Sequence, residues 1–550
     1  MSAHRGLVLG AAIGQCVHVA GLDHFLRLCE EEGWQTRSLG AAVPLETLFA
    51  EIQETRPALV AVSYRLTEAD AVPLFAALQG GSSRLGEDNP RWVFGGTPPV
   101  AASARQFGLF EQAFDGTEPV SEVIAFIRGS GRLAPEEVYP DTLLGRVASR
   151  YPRPLLRHHY GEPDLQKTVA GARRIAESGV LDVLSIGPDQ NAQEHFFHPE
   201  DMDGSQDGAG GVPLRRPEDL AAIYEATRSG SYPLVRCYSG TRDLIPWAEM
   251  SLKTIRNAWG AIPLCWYSVM DGRSKVPFPD AIREKQAAMR FYAERAIPVE
   301  VNESHQWSLR DAHDALAVAM AFLAAYSAKR QGVRHYVVQM MFNTPPSTSP
   351  SMDLAKMLAK LDLIAQLEGP DFVTFREVRA GITSLPTDPD EAKGHMAASA
   401  AVSMALKPHI LHVVGFTEAT RVVDPGAIIE SCRIARGAAR LCLKGVPDPA
   451  PDPAVRARRR HLVSEARLIL AAVSRLGNDS EDPWSDAEVL TRAIRQGVLD
   501  APHFRGNPHL CGKIVTGCVN GGWEAIDPGT RKPLRERQRL AALGFPHLEE

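Results

Sequence analysis

Apolar and polar positions follow each other along this chain in two successive regimes. In the first, short apolar runs are separated by helical spacing. Gly-Leu-Val-Leu-Gly at 6–10 reads as a buried strand, followed by a glycine-rich turn and a helix to about residue 32. A second strand is predicted at 35–39, and 44–55 carries Leu45, Leu48 and Ile52 on one helical side. Residues 58–63 form a continuous apolar strand, the pattern expected where helices cover both faces of a parallel sheet. A further helix leads to a strand at 91–95 that ends on Gly95 and Gly96, and 114–116 with a helix at 120–127 closes the unit. The pattern predicts a doubly wound α/β domain over residues 1–130. Its ligand belongs at the carboxyl ends of the strands.

Residues 131–165 carry Pro135, Pro140, Pro152, Pro154 and Arg146, Arg150, Arg153, Arg157, and read as a linker. Beyond 166 the alternation resumes, with strand-like runs at 180–189, 234–240, 263–271, 298–305, 336–343, 372–379 and 410–418. Amphipathic helices such as 281–295 and 312–329 separate them. Seven strands spaced through helices predict a parallel (β/α)8 barrel over 166–475, with polar strand ends lining one mouth. The pattern assigns no eighth strand. Residues 476–550 read as a C-terminal extension with a helix at 487–496.

At 550 residues the length alone suggests roughly three to four domains, fewer if one is a barrel. With 44% hydrophobic and 23% charged residues the chain is globular, not disordered. Its 60 basic and 66 acidic side chains leave a net charge of -6, which calls for no nucleic acid and no membrane surface. Eight dispersed cysteines without a CxxC motif exclude a zinc knuckle, and no run of about 20 apolar residues spans a bilayer. A cytoplasmic homodimer acting on a small molecule is the expectation. The cluster Glu194 to His198 with Asp201, Asp203 and Asp207 reads as a lid loop that binds no metal.

Candidate chemistry in the first domain lies in Gly14-Gln15-Cys16-Val17-His18-Val19-Ala20-Gly21, after a strand and before a helix. Ser63-Tyr64-Arg65-Leu66 and Gly95-Gly96 stand at the ends of later strands. A histidine at that edge can offer one ring nitrogen to a metal, while small residues keep a slot open. Taken alone, His18 is equally readable as a surface-loop histidine. The three-part pattern resembles the cobalamin-binding domain of B12-dependent mutases and of methionine synthase. The resemblance implies a flavodoxin-like B12-binding domain with His18 as the lower ligand of cobalt. Gly14, Cys16 and Val19 would belong to the cofactor-binding loop, Gly21 would let the cofactor's nucleotide tail pass, and Ser63, Leu66, Gly95 and Gly96 would line the slot for that tail. Cys16 stands where the family has an aspartate. A neutral thiol is a weaker acceptor for the ligand imidazole, so a weaker histidine–cobalt bond is implied.

The second regime resembles the large chain of glutamate mutase (methylaspartate mutase). Arg236-Cys237-Tyr238-Ser239-Gly240-Thr241 is similar to its Arg-His-Gly-Thr, Gln331-Gly332-Val333 to its Gln-Gly-Val, and Gly415-Phe416-Thr417-Glu418-Ala419 to its Thr-Pro-His-Glu-Ala. The stretches at 375–381, 476–478 and 497–502 also resemble that chain. The resemblance implies a TIM-type barrel in which Arg236 anchors a substrate carboxylate and Glu418 contacts the adenosyl ribose. Read from the residues alone, Arg236 is also suited to a salt bridge, and Glu418 to the first turn of a helix. The family's acidic strand end falls on Tyr267-Ser268-Val269-Met270, its lysine on Val414 and a tyrosine on Phe278. Glutamate therefore fits poorly as substrate. Tyr238, Tyr267, Asp271, Arg273, Glu303, His305, Gln339 and Asn343 are polar replacements at predicted strand ends, with Tyr267, Arg273 and Glu303 the catalytic candidates beside Arg236 and Glu418.

The two resemblances together imply an adenosylcobalamin-dependent radical mutase, an isomerase that rearranges a small carboxylate or amino acid. Corrinoid-dependent methyl transfer and non-catalytic cobalamin binding are the alternative readings.

Overall fold

A computed structural model describes residues 6–129, 139–238, 240, 242–272 and 274–549. The chain divides into two compact units, Met1–Val138 and Tyr139–Glu550.

The first unit is a parallel sheet of β1 (Leu7–Ala12), β2 (Gln35–Ser38), β3 (Leu59–Tyr64), β4 (Arg91–Gly96) and β5 (Gln112–Phe114), in the order β2-β1-β3-β4-β5. Helices α1 (Ala20–Glu31), α2 (Leu45–Thr55), α3 (Glu68–Ser82), α4 (Pro98–Ala104) and α5 (Val120–Gly129) alternate with the strands. Every residue of β3 is buried, as an apolar run sandwiched between helices requires. On α1, Leu22, Leu26 and Cys29 recur at helical spacing and are buried. Strand order reverses between β1 and β3, and this topological switch opens a crevice at their carboxyl ends.

The second unit is a TIM-type barrel, and its first strand lies inside the stretch read from sequence as a linker. Helix α6 (Leu143–Arg150) is followed by β6 (Leu155–Tyr160), the strand the hydrophobic pattern left unassigned. After it come β7 (Val183–Ile186), β8 (Leu234–Cys237), β9 (Gly260–Ile262), β10 (Val299–Val301), β11 (His335–Phe342), β12 (Val373–Ala380) and β13 (Ile410–His412). Each pairs in parallel with its sequence neighbour, and β13 returns to β6. Only the β8–β9 seam lacks a ladder among the described residues; one backbone bond, from Ala258 N–H to the Val235 carbonyl at 3.0 Å, crosses it. β9 therefore precedes the run at 263–271 predicted as a strand, which is loop.

Side chains of alternate residues stack in layers inside the barrel. The floor is apolar: Leu155, Val183, Leu234, Val337 and Ile410, with Trp259 and the half-buried Phe375, pack on Leu143 and Val147 of α6. Thr142 caps α6 by accepting from Gly145 N–H. The helix is a plug, so 139–165 belongs to the barrel.

The chain beyond residue 476 is likewise no appendage. Helices Pro453–Leu476 and Ala487–Arg495 share one core with the barrel helices, as do Leu540 and Phe545. A hairpin, β14 (Thr516–Val519) and β15 (Gly522–Ala525), precedes helix Glu536–Ala542. Glu536 in that helix is buried, 2.8 Å from His313 Nε2 and paired with Arg539. Among the described residues no helix is long and apolar enough to cross a membrane.

Burial alone would raise the Glu536 carboxyl, but Arg539 and His313 outweigh it and hold the group at about 2, against an ordinary value of 4.5. A carboxylate depressed in this way contributes stability above pH 4.5 that is lost as pH falls toward 2. Urea unfolding measured across that range should show a shallower acid-side loss in Glu536→Gln than in the wild-type chain; identical slopes would remove this contact from the stability of the unit.

Candidate functional site

In the first unit the switch-point crevice is a cavity of about 340 Å³. His18 reaches it from the β1–α1 loop, Gly21 from the first turn of α1, Ser63 and Arg65 from the end of β3, and Gly95 and Gly96 from the end of β4. Leu22, Phe25 and Phe94 supply apolar wall. The five residues read from sequence as rim and slot, His18, Gly21, Ser63, Gly95 and Gly96, therefore meet at one cavity. Leu66 does not join them: it is 38% exposed, and Arg65 lines the wall instead. The far wall, Phe114, Asp115, Gly116 and Glu118, was not singled out from sequence, although Asp115-Gly116 after β5 is the same strand-end signal.

Two features show how the space is kept. A Cβ built on Gly21 or Gly95 meets no heavy atom within 4 Å, so a side chain there would project into open volume. The Ser63 hydroxyl is buried and has no partner among the described residues. The loop that carries His18 is fixed beneath it. Gly14 turns the chain at φ +64°, a conformation that favours glycine, and a Cβ there would come within 2.8 Å of Leu74. Cys16 is fully buried, and its sulfur accepts from Arg65 N–H at 3.3 Å and lies 3.9 Å from His18 Nδ1. Val19 is the residue preceding α1. Cys16 thus ties the histidine loop to the end of β3, while His18 itself is exposed.

In the barrel, the residue two positions after each of six floor residues forms a polar second layer. Arg157, Ser185, Arg236, Gln339, Glu377 and His412 follow Leu155, Val183, Leu234, Val337, Phe375 and Ile410 in this way, and Glu300 completes the layer from β10. Glu300 is its centre. One of its oxygens, Oε2, accepts from Trp259 Nε1 at 2.6 Å, Arg236 Nη2 at 3.1 Å and Arg157 Nη1 at 3.3 Å. Arg157 also donates to Ser185 Oγ at 2.8 Å and to Glu377, and both guanidinium groups lie over the Trp259 ring. Such burial of charge is tolerated only with pairing. The pairing is incomplete: Nε and Nη1 of Arg236, Oε1 of Glu300 and Oε2 of Glu377 are buried without a partner among the described residues. Burial and the neighbouring Arg157 push the Arg236 guanidinium below its ordinary pKa.

The other candidates separate. Tyr267 sits in the loop after β9 with φ +58°, unusual for a tyrosine, and its ring meets Tyr238 edge-on at 5.6 Å. Its backbone N–H donates to Asp271 and its carbonyl accepts from Lys285 Nζ at 3.3 Å. Arg273, with Ser239 and Thr241 of the Arg236 motif, lies outside the described residues. Glu303 is fully occupied: Oε2 accepts from the N–H groups of Leu264 and Cys265 at 2.8 and 3.0 Å, and Oε1 from Trp307 Nε1 at 2.7 Å. It holds the β9 loop, and burial raises its pKa. Glu418 accepts from Gly415 N–H at 2.7 Å and stands 3.3 Å from His158 Nε2 at the end of β13, partly exposed. Arg157, Glu300 and Glu377 were missed because each lies inside a strand, and His412, which ends β13, because the strand was read as running on to residue 418.

No protein-family model matches the chain, and no curated protein matches it. Among solved structures it is similar to a cobalamin-binding protein from Desulfitobacterium hafniense DCB-2, at 18% identity over 23% of this chain and 60% of that one, with a TM-score of 0.20. It is similar to the methanol:cobalamin methyltransferase complex MtaBC from Methanosarcina barkeri, at 20% identity over 24% and 50%, with a TM-score of 0.20. It is also similar to the cobalamin-dependent S-adenosylmethionine radical enzyme OxsB, at 9% identity over 88% and 70%, with a TM-score of 0.18. The chain thus spans 60% and 50% of the length of the first two. Superpositions at this level assign no residue a role.

Removing the shared acceptor of the barrel layer leaves two buried guanidinium groups and an indole N–H undercompensated. Glu300→Ala should therefore cost about 3–5 kcal/mol of stability, read by denaturant unfolding. A loss below about 1 kcal/mol would mean that water already satisfies the layer.

Proposed function

We propose that the chain is a cobalamin-dependent enzyme, in which the first unit holds the corrinoid and the barrel holds a small carboxylate. The reaction is a radical rearrangement of the glutamate mutase kind on a substrate other than glutamate. The observation that carries this reading is the slot, where a loop histidine, three glycines and a serine from separate strand ends share one cavity.

The residues fit the cofactor's tail and metal. Open space at Gly21 and Gly95 accommodates a flat nucleotide base, the apolar walls at Leu22, Phe25 and Phe94 pack on it, and the unpartnered Ser63 hydroxyl offers it a hydrogen bond. His18, exposed at the rim, is free to give a ring nitrogen to cobalt. Among the described residues no carboxylate holds His18 Nδ1, and the Cys16 sulfur stands 3.9 Å from it. The imidazole is accordingly a weaker donor than one backed by a carboxylate. When bound, adenosylcobalamin supplies a carbon-centred radical through homolysis of its cobalt–carbon bond.

The barrel residues do the rest. Arg236 offers Nη1 to a substrate carboxylate while Glu300 fixes Nη2, so the guanidinium is pre-oriented before substrate arrives. The apolar floor on α6 closes the chamber from below and keeps water from that side. Glu418 keeps one oxygen on the Gly415 turn and has a second available to ribose hydroxyls. At the end of β9, 267–270 supplies no carboxylate for the amino group of glutamate, which supports a different substrate.

Electron paramagnetic resonance of added cob(II)alamin should show coupling to one nitrogen that changes on ¹⁵N-histidine labelling and vanishes in His18→Ala. Gly95→Phe should weaken cobalamin binding at least tenfold yet leave cobinamide, which lacks the nucleotide tail, within about threefold. Equal losses for both corrinoids, or an unchanged signal in His18→Ala, would end this reading. In Cys16→Asp the nitrogen coupling should grow and cobalamin should bind more tightly; a weaker complex would assign Cys16 a purely structural part.

A further inference from the structure

The barrel carries an imidazole that the reading above leaves unused. His159 is on β6, two residues beyond Arg157 and on the same inward face, but unlike Arg157 it is only half-buried. Its Nε2 lies 3.1 Å from Nη2 of Arg157. A guanidinium has donors only, so Nε2 must be the acceptor, and the single proton of a neutral imidazole then resides on Nδ1. Arg157 cannot turn away, because Ser185, Glu300 and Glu377 hold its other nitrogens. The charged and titratable groups around the ring agree: burial, His412 at 4.8 Å between ring centroids, and Arg157, Arg236 and Arg379 all hold His159 well below its ordinary pKa. Nδ1–H has no partner among the described residues. The result is an uncharged donor of fixed tautomer in the barrel layer above Arg236.

We propose that His159 is a substrate-binding residue of the barrel, donating a hydrogen bond from Nδ1 to an oxygen of the carboxylate ligand while Arg157 holds its other ring nitrogen. The proposal rests on the reading of the barrel as the carboxylate-binding unit. A neutral imidazole is suited to such a task, since it polarises an oxygen without bringing a second full charge beside Arg236 and Arg379.

The test is calorimetric titration of the full corrinoid-free chain with sodium propionate and sodium succinate. For whichever probe the wild-type chain binds, His159→Ala should weaken binding at least tenfold, the loss expected for a hydrogen bond to a charged group. His159→Asn, whose amide nitrogen is as many bonds from Cα as Nδ1, should stay within about threefold, while the near-isosteric His159→Asp, which has no donor, should bind as poorly as alanine. If alanine fails to fold, the asparagine–aspartate pair decides alone. Equal losses in asparagine and aspartate, wild-type affinity in His159→Ala, or binding of neither probe by the wild-type chain would overturn the proposal. Because no corrinoid is present, failure here is separate from failure of the radical reading, which the nitrogen coupling at His18 reports.

Discussion

A single carboxylate oxygen organises the interior of the barrel. Oε2 of Glu300 receives an indole N–H from the residue before the neighbouring β9 and two guanidinium groups from β6 and β8, strands that meet β10 only across the barrel's inside. Charge at this depth is expensive unless it is paired, so these contacts constrain the register of several strands at once. The constraint also explains the layering. An apolar floor on α6 lets the strands close, and the ionic layer above it replaces the branched aliphatic residues that usually fill such barrels. Two nitrogens of Arg236, one oxygen on each glutamate, Gln339 Oε1 and His412 Nδ1 stay buried in this layer without a hydrogen-bond partner among the described residues.

The first unit meets the opposite requirement, that of holding space open. Its strand β3 is buried along its whole length, and helices pack against the sheet. At the switch point the strand ends turn to glycine and serine, and there the structure leaves a cavity with a buried hydroxyl that has no partner among the described residues. Cys16 ties this region together through Arg65 N–H, so the position that departs from the resembling family is also the one that anchors the loop. The same residue that fixes the loop thus sets how strongly the imidazole above it can donate.

The alternation of strands and helices, the open crevice and the histidine loop were all legible in the chain itself. Burying one helical face or a sandwiched strand leaves a period of its own within each segment, and the strand-end glycines lie within a few residues of the elements they end. β6 was not legible, although it is the first strand of the barrel. Leu-Leu-Arg-His-His-Tyr reads as polar because its inward positions, Arg157 and His159, are charged or titratable. The acids that make Arg157 buriable stand 143 and 220 residues away in sequence. β9 failed for another reason: three residues, Gly-Ala-Ile, are too few to show a period, and the apolar residues that follow are buried as loop.

Sequence by itself therefore determined the α/β class and the strand ends at which the crevice opens, because each follows from hydrophobic burial that is local in the chain, whereas the linker at 131–165 and the extension at 476–550 were resolved into the second unit only by the fold. Tertiary structure alone decided which polar groups are spent and which are free. Glu303 and Arg236 were both candidates from sequence, yet Glu303 is consumed by Trp307 and two backbone N–H groups, whereas Arg236 keeps two nitrogens without a partner among the described residues. A buried charge is satisfied by whatever the fold brings to it from any distance along the chain, and no local pattern records that partner.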